Sequence, residues 1–277
     1  MQMRCAWKEL LGILPAWLRP DVDKLGKDQL QELRLRCNAP PELTLATGVR
    51  YLDRIVSTED IRFCVNTASQ YSPWSAGTVA QGYITAPGGH RIGLCGQAVS
   101  QNGSITGIRE IHSLCIRVAR DFPGVGKDAA AHVGSILILG APGWGKTTLL
   151  RDLIRQLAEK ETVTVIDERG ELFPKGIPRG KRMDILTGCP KPAGLDMAVR
   201  TMTPRYIAVD EITAEADAQA VIHAVGCGIR LLATAHATNA RDLLLRPVYR
   251  PLCENRVFDR LVILHSDKSY HTERMGT

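Results

Sequence analysis

The chain has 277 residues, 44% of them hydrophobic and 23% charged, and a net charge of +6. That is the composition of an ordinary soluble globular protein with room for one large domain or two smaller ones. No run approaches the roughly eighteen apolar residues of a membrane span, and no repeat or low-complexity segment is present.

The start, Met1-Gln-Met-Arg-Cys-Ala-Trp, has neither a continuous apolar core nor a small-residue cleavage site, so it does not read as a signal peptide. Trp7, Leu10, Leu11, Leu14, Trp17 and Leu18 recur near helical spacing. Such a stripe packs on its own domain or lies on lipid. The positive charge also has two readings, a solvated surface or affinity for an anionic one. The eight cysteines form no CxxC pair, and several sit in apolar runs; reduced, buried thiols are expected.

Asp28 reads as the cap of a helix over residues 29–37, stopped by Pro40 and Pro41. A strand pair follows over residues 42–51 around Gly48. Ser57-Thr-Glu-Asp is a capping box for a helix reaching about Gln70. Residues 79–85 and 91–99 read as strands around Pro87-Gly-Gly, Gln101-Asn-Gly as a turn, and residues 113–119 as a last strand. These elements make an α+β domain over residues 1–120, with a linker at 121–133 around Phe122-Pro-Gly. From residue 134 to 277 the texture changes. Strands at 135–139, 162–167, 206–210, 231–235 and 260–264 alternate with helices beginning near Lys146, Ala193, Ala214 and Ala240. Alternation of this kind builds an α/β fold, a largely parallel sheet with helices on both faces.

Gly140-Ala-Pro-Gly-Trp-Gly-Lys-Thr-Thr matches the P-loop pattern GxxxxGK[ST] in full, after the apolar strand Ile136-Leu-Ile-Leu and before a helix. Chance places such a match in a chain this long on the order of one per cent of the time. Gly140, Ala141, Pro142, Gly143, Trp144, Gly145, Lys146, Thr147 and Thr148 are thus expected to wrap the phosphates of a nucleoside triphosphate, ATP. The glycines let backbone N–H groups turn inward, the helix N-terminus favours anions, and Lys146 adds a charge on the β- and γ-phosphates. The Thr147 hydroxyl is expected to ligate Mg²⁺.

Three further features follow the P-loop. Tyr206-Ile-Ala-Val-Asp-Glu is an apolar strand ending in acids, the Walker B pattern. Asp210 would hold the Mg²⁺ shell and Glu211 would orient the attacking water. Thr164-Val-Ile-Asp-Glu ends similarly, so Asp167 and Glu168 either face the nucleotide or serve in capping and pairing with Arg169. His236 lies just past another strand, where a polar group senses the γ-phosphate or is merely structural.

Taken in order, P-loop, acidic box (Asp167–Glu171), Walker B (Asp210–Glu211) and histidine box (Thr234–Asn239), these elements resemble the core of type II and type IV secretion ATPases. That family usually has Gly-Glu where this chain has Asp-Glu. Over nearly the whole chain the sequence more closely resembles the stage III sporulation protein AA family. The resemblance rests on Gly88-Gly-His-Arg-Ile-Gly-Leu-Cys-Gly, Ile116-Arg-Val-Ala-Arg, Val165-Ile-Asp-Glu-Arg, Arg182-Met-Asp-Ile-Leu-Thr-Gly-Cys-Pro-Lys, Asp210-Glu-Ile, Thr234-Ala-His, Arg246-Pro and Phe258-Asp-Arg. The family's usual Gly after Asp-Glu-Ile is Thr213 here.

The resemblance implies a RecA-like P-loop ATPase domain behind a smaller α+β domain, with Glu211, Glu168 and His236 as the catalytic set. It implies a cytoplasmic Mg²⁺-ATPase of the mother cell that energises a secretion-like channel complex facing the forespore. Peripheral contact with that membrane stays open. By analogy with secretion ATPases it implies a homo-oligomeric, hexameric ring working with membrane-embedded channel components. In a ring, Arg109, Arg117 or Arg120 could reach a neighbour's nucleotide. The basic stretch 175–182 reads equally as a mobile loop near the site or as solvated charge.

Two other functions fit a P-loop. One is a nucleic-acid motor, but aromatics are only 5% and no basic stripe is interleaved with them, so no nucleic-acid partner is expected. The other is an ATP-binding scaffold or switch with little turnover, which would need neither Glu211 nor Glu168.

Overall fold

The structure, a computed structural model, describes residues 3–70, 79, 82–174 and 176–275. The chain forms two compact units, Met3–Asp121 with Pro174–Ile177, and Phe122–Phe173 with Pro178–Thr277.

In the first unit, helices α1 (Trp7–Gly12), α2 (Arg19–Leu25) and α3 (Thr58–Ser69) accompany strands β1 (Leu30–Arg36), β2 (Glu42–Leu45), β3 (Gly48–Tyr51), β4 (Tyr83–Thr85), β5 (Arg91–Gln101) and β6 (Ser104–Arg117). The six-stranded sheet runs β3-β2-β1-β6-β5-β4, with every neighbouring pair antiparallel. Leu10, Leu14 and Leu18 are fully buried in its core with Leu33, Leu35 and Ile116. The N-terminal apolar stripe therefore packs on its own unit.

The helix expected over residues 29–37 is instead β1, the strand between β2 and β6. The misleading signal has a cause. The register shifts between Leu30 and Glu32, so Leu30 and Leu33 both turn inward at a spacing that mimics a helix. The alternation of Leu33 and Leu35 is the true period. On the other face, Arg34 pairs with Glu32 at 2.6 Å and Arg36 with Glu42 at 2.7 Å. The Asn102-Gly103 turn between β5 and β6 takes positive φ at both residues, 52° and 78°, as a tight hairpin requires. β4 is shorter than the strand expected from residue 79, and residues 80–81 of that reading lie outside the described residues.

In the second unit, strands β7 (Ile136–Leu139), β8 (Val163–Asp167), β9 (Met183–Thr187), β10 (Tyr206–Glu211), β11 (Arg230–Ala235), β12 (Arg260–Leu264) and β13 (Tyr270–Arg274) form one sheet ordered β13-β12-β7-β11-β10-β8-β9. All pairs are parallel except β12–β13. The helices are α4 (Lys127–Ala130), α5 (Lys146–Leu157), α6 (Lys191–Thr201), α7 (Glu215–Gly226), α8 (Ala240–Leu244) and α9 (Arg250–Glu254). One sheet face, with Leu137, Ile207 and Ala233, packs on α6, α7 and α9 through Leu195, Val221 and Leu252. Alternate strand residues face the other way, where α5 packs on β7, β10 and β11. This is the α/β fold with helices on both faces.

The stretch 122–133, which composition marks as a linker, is packed into this unit. Gly124 and Gly126 donate their N–H groups to buried Asp152 at 2.9 and 2.8 Å, and Tyr270 donates its hydroxyl to the Val125 carbonyl at 3.0 Å. Residues 181–182 of the basic stretch are held beside the N-terminal edge of β8: Lys181 pairs with Glu159 at 3.1 Å, and the Arg182 N–H and carbonyl bond Ala158 and Val163. That is the sheet edge opposite the P-loop; Lys175 lies outside the described residues. The eight cysteines are free thiols, but only Cys64 is fully buried, while Cys95 and Cys227 are exposed. Among the described residues no helix is long and apolar enough to cross a membrane.

Ser57 caps α3: its hydroxyl accepts the Asp60 N–H at 3.1 Å while the Asp60 carboxylate accepts the Ser57 N–H at 2.9 Å. Replacing Ser57 by Ala is expected to lower the unfolding free energy by about 1 kcal/mol. Urea denaturation checks this, and an unchanged midpoint would remove the cap from the stability account.

Candidate functional site

Parallel strands bring their C-terminal ends to one edge of the sheet, and the sequence features that carry charge sit there. The loop 140–145 leaves β7 and enters α5 at Lys146. Gly143 and Gly145 adopt φ of 76° and 104°, a region that side chains avoid. Gly140 is crowded instead. A Cβ on it would stand 3.2 Å from Leu264 and 3.3 Å from the Lys146 stem, so the loop is closed over its own lysine.

Lys146 is only 7% exposed. Its Nζ donates to the carbonyls of Gly140 at 2.9 Å and Ala141 at 3.2 Å, and to His236 Nδ1 at 2.8 Å. Burial pushes its ammonium below the ordinary lysine range, against the opposing pull of Glu211 and Asp210. An ammonium has no lone pair, so Nδ1 of His236 must accept. The imidazole proton then sits on Nε2, which reaches Glu211 Oε2 at 3.1 Å. His236 thus joins the P-loop lysine to the acid at the end of β10.

β11 lies between β7 and β10 in the sheet. That spacing sets Asp210 across from α5, where Thr147 Oγ1 is 3.4 Å from Asp210 Oδ1 and Thr234 Oγ1 approaches the same oxygen at 3.4 Å. Burial raises the Asp210 carboxyl above its usual range, and Asp167 and Glu211 raise it further. The site therefore carries an excess of negative charge around hard oxygen donors. A hydroxyl and one carboxylate, short of a full cage, suit a Mg²⁺ ion that also keeps water and phosphate oxygens.

The two acids of the acidic box part company. Asp167 accepts the backbone N–H groups of Glu171, Leu172 and Phe173 at 2.9, 3.1 and 3.0 Å, so it shapes the loop after β8. Glu168 instead turns into a pocket lined by Asp167, Lys191, Asp210, Glu211 and Thr213, with Lys191 Nζ 2.6 Å from its Oε2. Arg169 is a further lining residue of that pocket, and the observed partner of Glu168 is Lys191. Thr213, at the position where the family usually has Gly, donates its N–H to the Asp217 carboxylate at 3.1 Å, just ahead of α7. Pro142, Trp144 and Thr148 lie in the loop and the first turn of α5; the Trp144 N–H bonds the Ala141 carbonyl at 3.2 Å.

Residues 8–274 match the protein family described as sporulation stage III, protein AA. The chain belongs to this family. It is 35% identical to the stage III sporulation protein AA of Bacillus subtilis (strain 168) over 280 residues, which cover 94% of this chain and 91% of that one. Its fold is shared with the Yersinia pseudotuberculosis ATPase DotB, at 15% identity and a TM-score of 0.62, covering 94% of this chain and 79% of that one. The pilus retraction motor PilT, solved with bound ADP, matches at 15% identity and a TM-score of 0.59, covering 88% of this chain and 75% of that one. The chain thus has the fold of these two proteins, a P-loop fold.

Some residues at this sheet edge escape motif reading. Thr234 approaches Asp210 from inside β11, where it reads as a strand residue. Lys191 sits at the N-terminus of α6, the end that disfavours cations, and that misfit is the signal that marks it. Of the arginines considered for a neighbour's nucleotide, Arg117 pairs with Glu32 at 3.6 Å and Arg120 donates to the Leu30 carbonyl at 2.7 Å, both within the first unit. Arg109 is exposed on β6.

A raised Asp210 pKa has a sign that can be tested. Below the unfolded pKa of about 3.9 both states are protonated and no penalty exists. As pH rises through the window up to the raised folded value, the unfolded chain ionises this acid while the folded state keeps it protonated, and stability is lost. Asp210→Asn is therefore expected to raise the Tm of the nucleotide-free protein at pH 7, with the gain fading as pH falls toward 4. Equal melting of the two proteins at pH 7 would show that the buried charge is compensated.

Proposed function

We propose that this chain is a Mg²⁺-dependent ATPase that energises a secretion-like channel complex between mother cell and forespore during endospore formation. The observation that carries the hydrolytic part is the convergence at one sheet edge of Lys146, Thr147, Asp210 and Glu211, with His236 linking Lys146 to Glu211 at 2.8 and 3.1 Å. Family membership supports the sporulation role. The fold likeness to DotB and PilT supports a homo-oligomeric ring, taken here as a hexamer. Such a ring would act from the mother-cell cytoplasm on membrane-embedded channel components.

The chemistry follows from what each residue can reach. The N–H groups of Gly143, Gly145 and Lys146 would cradle the phosphates, and Thr148 extends that row into α5. Lys146 would exchange its bonds to the Gly140 and Ala141 carbonyls for the β- and γ-phosphate oxygens. Thr147 Oγ1 and Asp210 would hold Mg²⁺, which offsets phosphate charge when bound. Glu211 would accept a hydrogen bond from a water in line with the γ-phosphorus. As the water oxygen bonds to phosphorus and the bond to ADP breaks, the water proton passes to Glu211 and then to the departing phosphate. His236 holds the Glu211 carboxylate in place. Glu168 approaches the same pocket from β8.

ATP turnover by the purified chain tests this reading. Wild type is expected to hydrolyse ATP only with Mg²⁺, and Lys146→Ala to fall to background. Glu211→Gln is expected to lower kcat by about 10²-fold or more while nucleotide still binds. Background turnover in wild type would overturn the enzyme reading. Native mass spectrometry with and without Mg·ATP reads the ring, and a monomer under every condition would remove it.

A further inference from the structure

The second unit buries two lysines among its described residues, Lys146 and Lys191. Lys146 belongs to the P-loop. Lys191 has no place in the chemistry above, yet it is only 8% exposed and sits at the N-terminus of α6, where the helix dipole opposes a cation. A buried ammonium in that position needs compensation from elsewhere.

The compensation comes from acids. Lys191 Nζ is 2.6 Å from Glu168 Oε2 and 3.8 Å from Asp217 Oδ2. Asp217 is already engaged by the N–H groups of Thr213 and Ala214 at 3.1 and 3.3 Å, so it is fixed to the start of α7. Lys191 is thereby anchored to α6 and α7 and holds Glu168, which follows directly on β8. Glu168 itself is 37% exposed and borders the pocket that also contains Asp210 and Glu211. Carboxylates that line one pocket repel one another, so a cation that holds Glu168 there offsets that repulsion.

We propose that Lys191 is a positioning residue for hydrolysis. It clamps one oxygen of Glu168 at the rim of the acid pocket and leaves the other free to accept a hydrogen bond from the attacking water or from water next to it. Two acids would then flank the reacting centre, each with its own holder: His236 for Glu211, and Lys191 for Glu168. This rests on the ATPase reading and deepens it.

The experiment compares wild type, Lys191→Met, Lys191→Gln, Lys191→Arg, Glu168→Gln and the Lys191→Met/Glu168→Gln double variant. It measures kcat and KM for ATP, and Mg·ADP affinity by calorimetry. Lys191→Met and Lys191→Gln are expected to lose about 10- to 100-fold in kcat, the scale on which a misplaced group slows a positioned reaction. KM and Mg·ADP affinity are expected to stay within about threefold, because the phosphate cradle is untouched. Lys191→Arg, which still donates to a carboxylate, is expected to recover most of the rate. The double variant is expected to be no slower than Glu168→Gln alone, because both changes remove one function.

Wild-type kcat in Lys191→Met or Lys191→Gln overturns the proposal. So does a double variant whose losses multiply, or a loss of Mg·ADP binding that parallels the loss of rate. An inactive wild type would overturn the ATPase reading and this proposal with it. An active wild type with active Lys191 variants would overturn the proposal alone.

Discussion

A charged ammonium cannot be buried without partners, and the site is organised around how Lys146 meets that constraint. The loop between β7 and α5 closes over the lysine so tightly that a Cβ on Gly140 would press on Leu264 and the Lys146 stem. Two of the partners are carbonyls of the loop itself, so the lysine gives the loop its shape. The third is His236, at the end of β11, and through it Glu211 on β10. One buried cation therefore ties together segments that are far apart in the chain. It also sets the tautomer of His236 and, by that, the direction in which the Glu211 carboxylate is held.

The order of strands makes this connection possible. With β11 inserted between β7 and β10, the end of β10 faces the start of α5 across the width of a strand. Asp210 falls opposite Thr147, and Glu211 falls within reach of His236. The geometry gathers acids at this edge: burial first, and then Asp167 and Glu211, hold the Asp210 carboxyl above its usual range. A phosphate-bound cation would offset this. The acids at the other strand end diverge in role because their neighbours differ. Asp167 meets a row of backbone N–H groups and organises the following loop, whereas Glu168 meets the Lys191 ammonium and stays at the pocket.

Legibility in the sequence followed the range of the interactions. The P-loop, the capping box of Ser57 and the Asn102-Gly103 turn each complete their geometry within a few residues, and each is readable from local residue types. β1 was not readable as a strand, because a bulge at its start imitates helical spacing and only its neighbours β2 and β6 settle the period. β9 and β13 are partly exposed strands at the two edges of the sheet and lack the apolar run that marks β7 or β12. The stretch 122–133 looks like a linker because Pro123, Gly124 and Gly126 cluster at its start, yet those glycines supply the N–H groups that buried Asp152 accepts.

By itself the sequence determined the phosphate loop, the alternation that builds a parallel sheet, and the acids that end its strands. These follow from the stereochemistry of glycine, the period of the side chains and the position of charge relative to apolar runs, all properties of neighbouring residues. Only the tertiary structure decided which acids share a pocket, that His236 bridges Lys146 to Glu211, and that Lys191 rather than Arg169 holds Glu168. Those pairings depend on strand order and on the packing of α6 and α7, which join residues separated by tens of positions. Electrostatic partnership acts through space, and a linear pattern of residue types does not encode which charges meet.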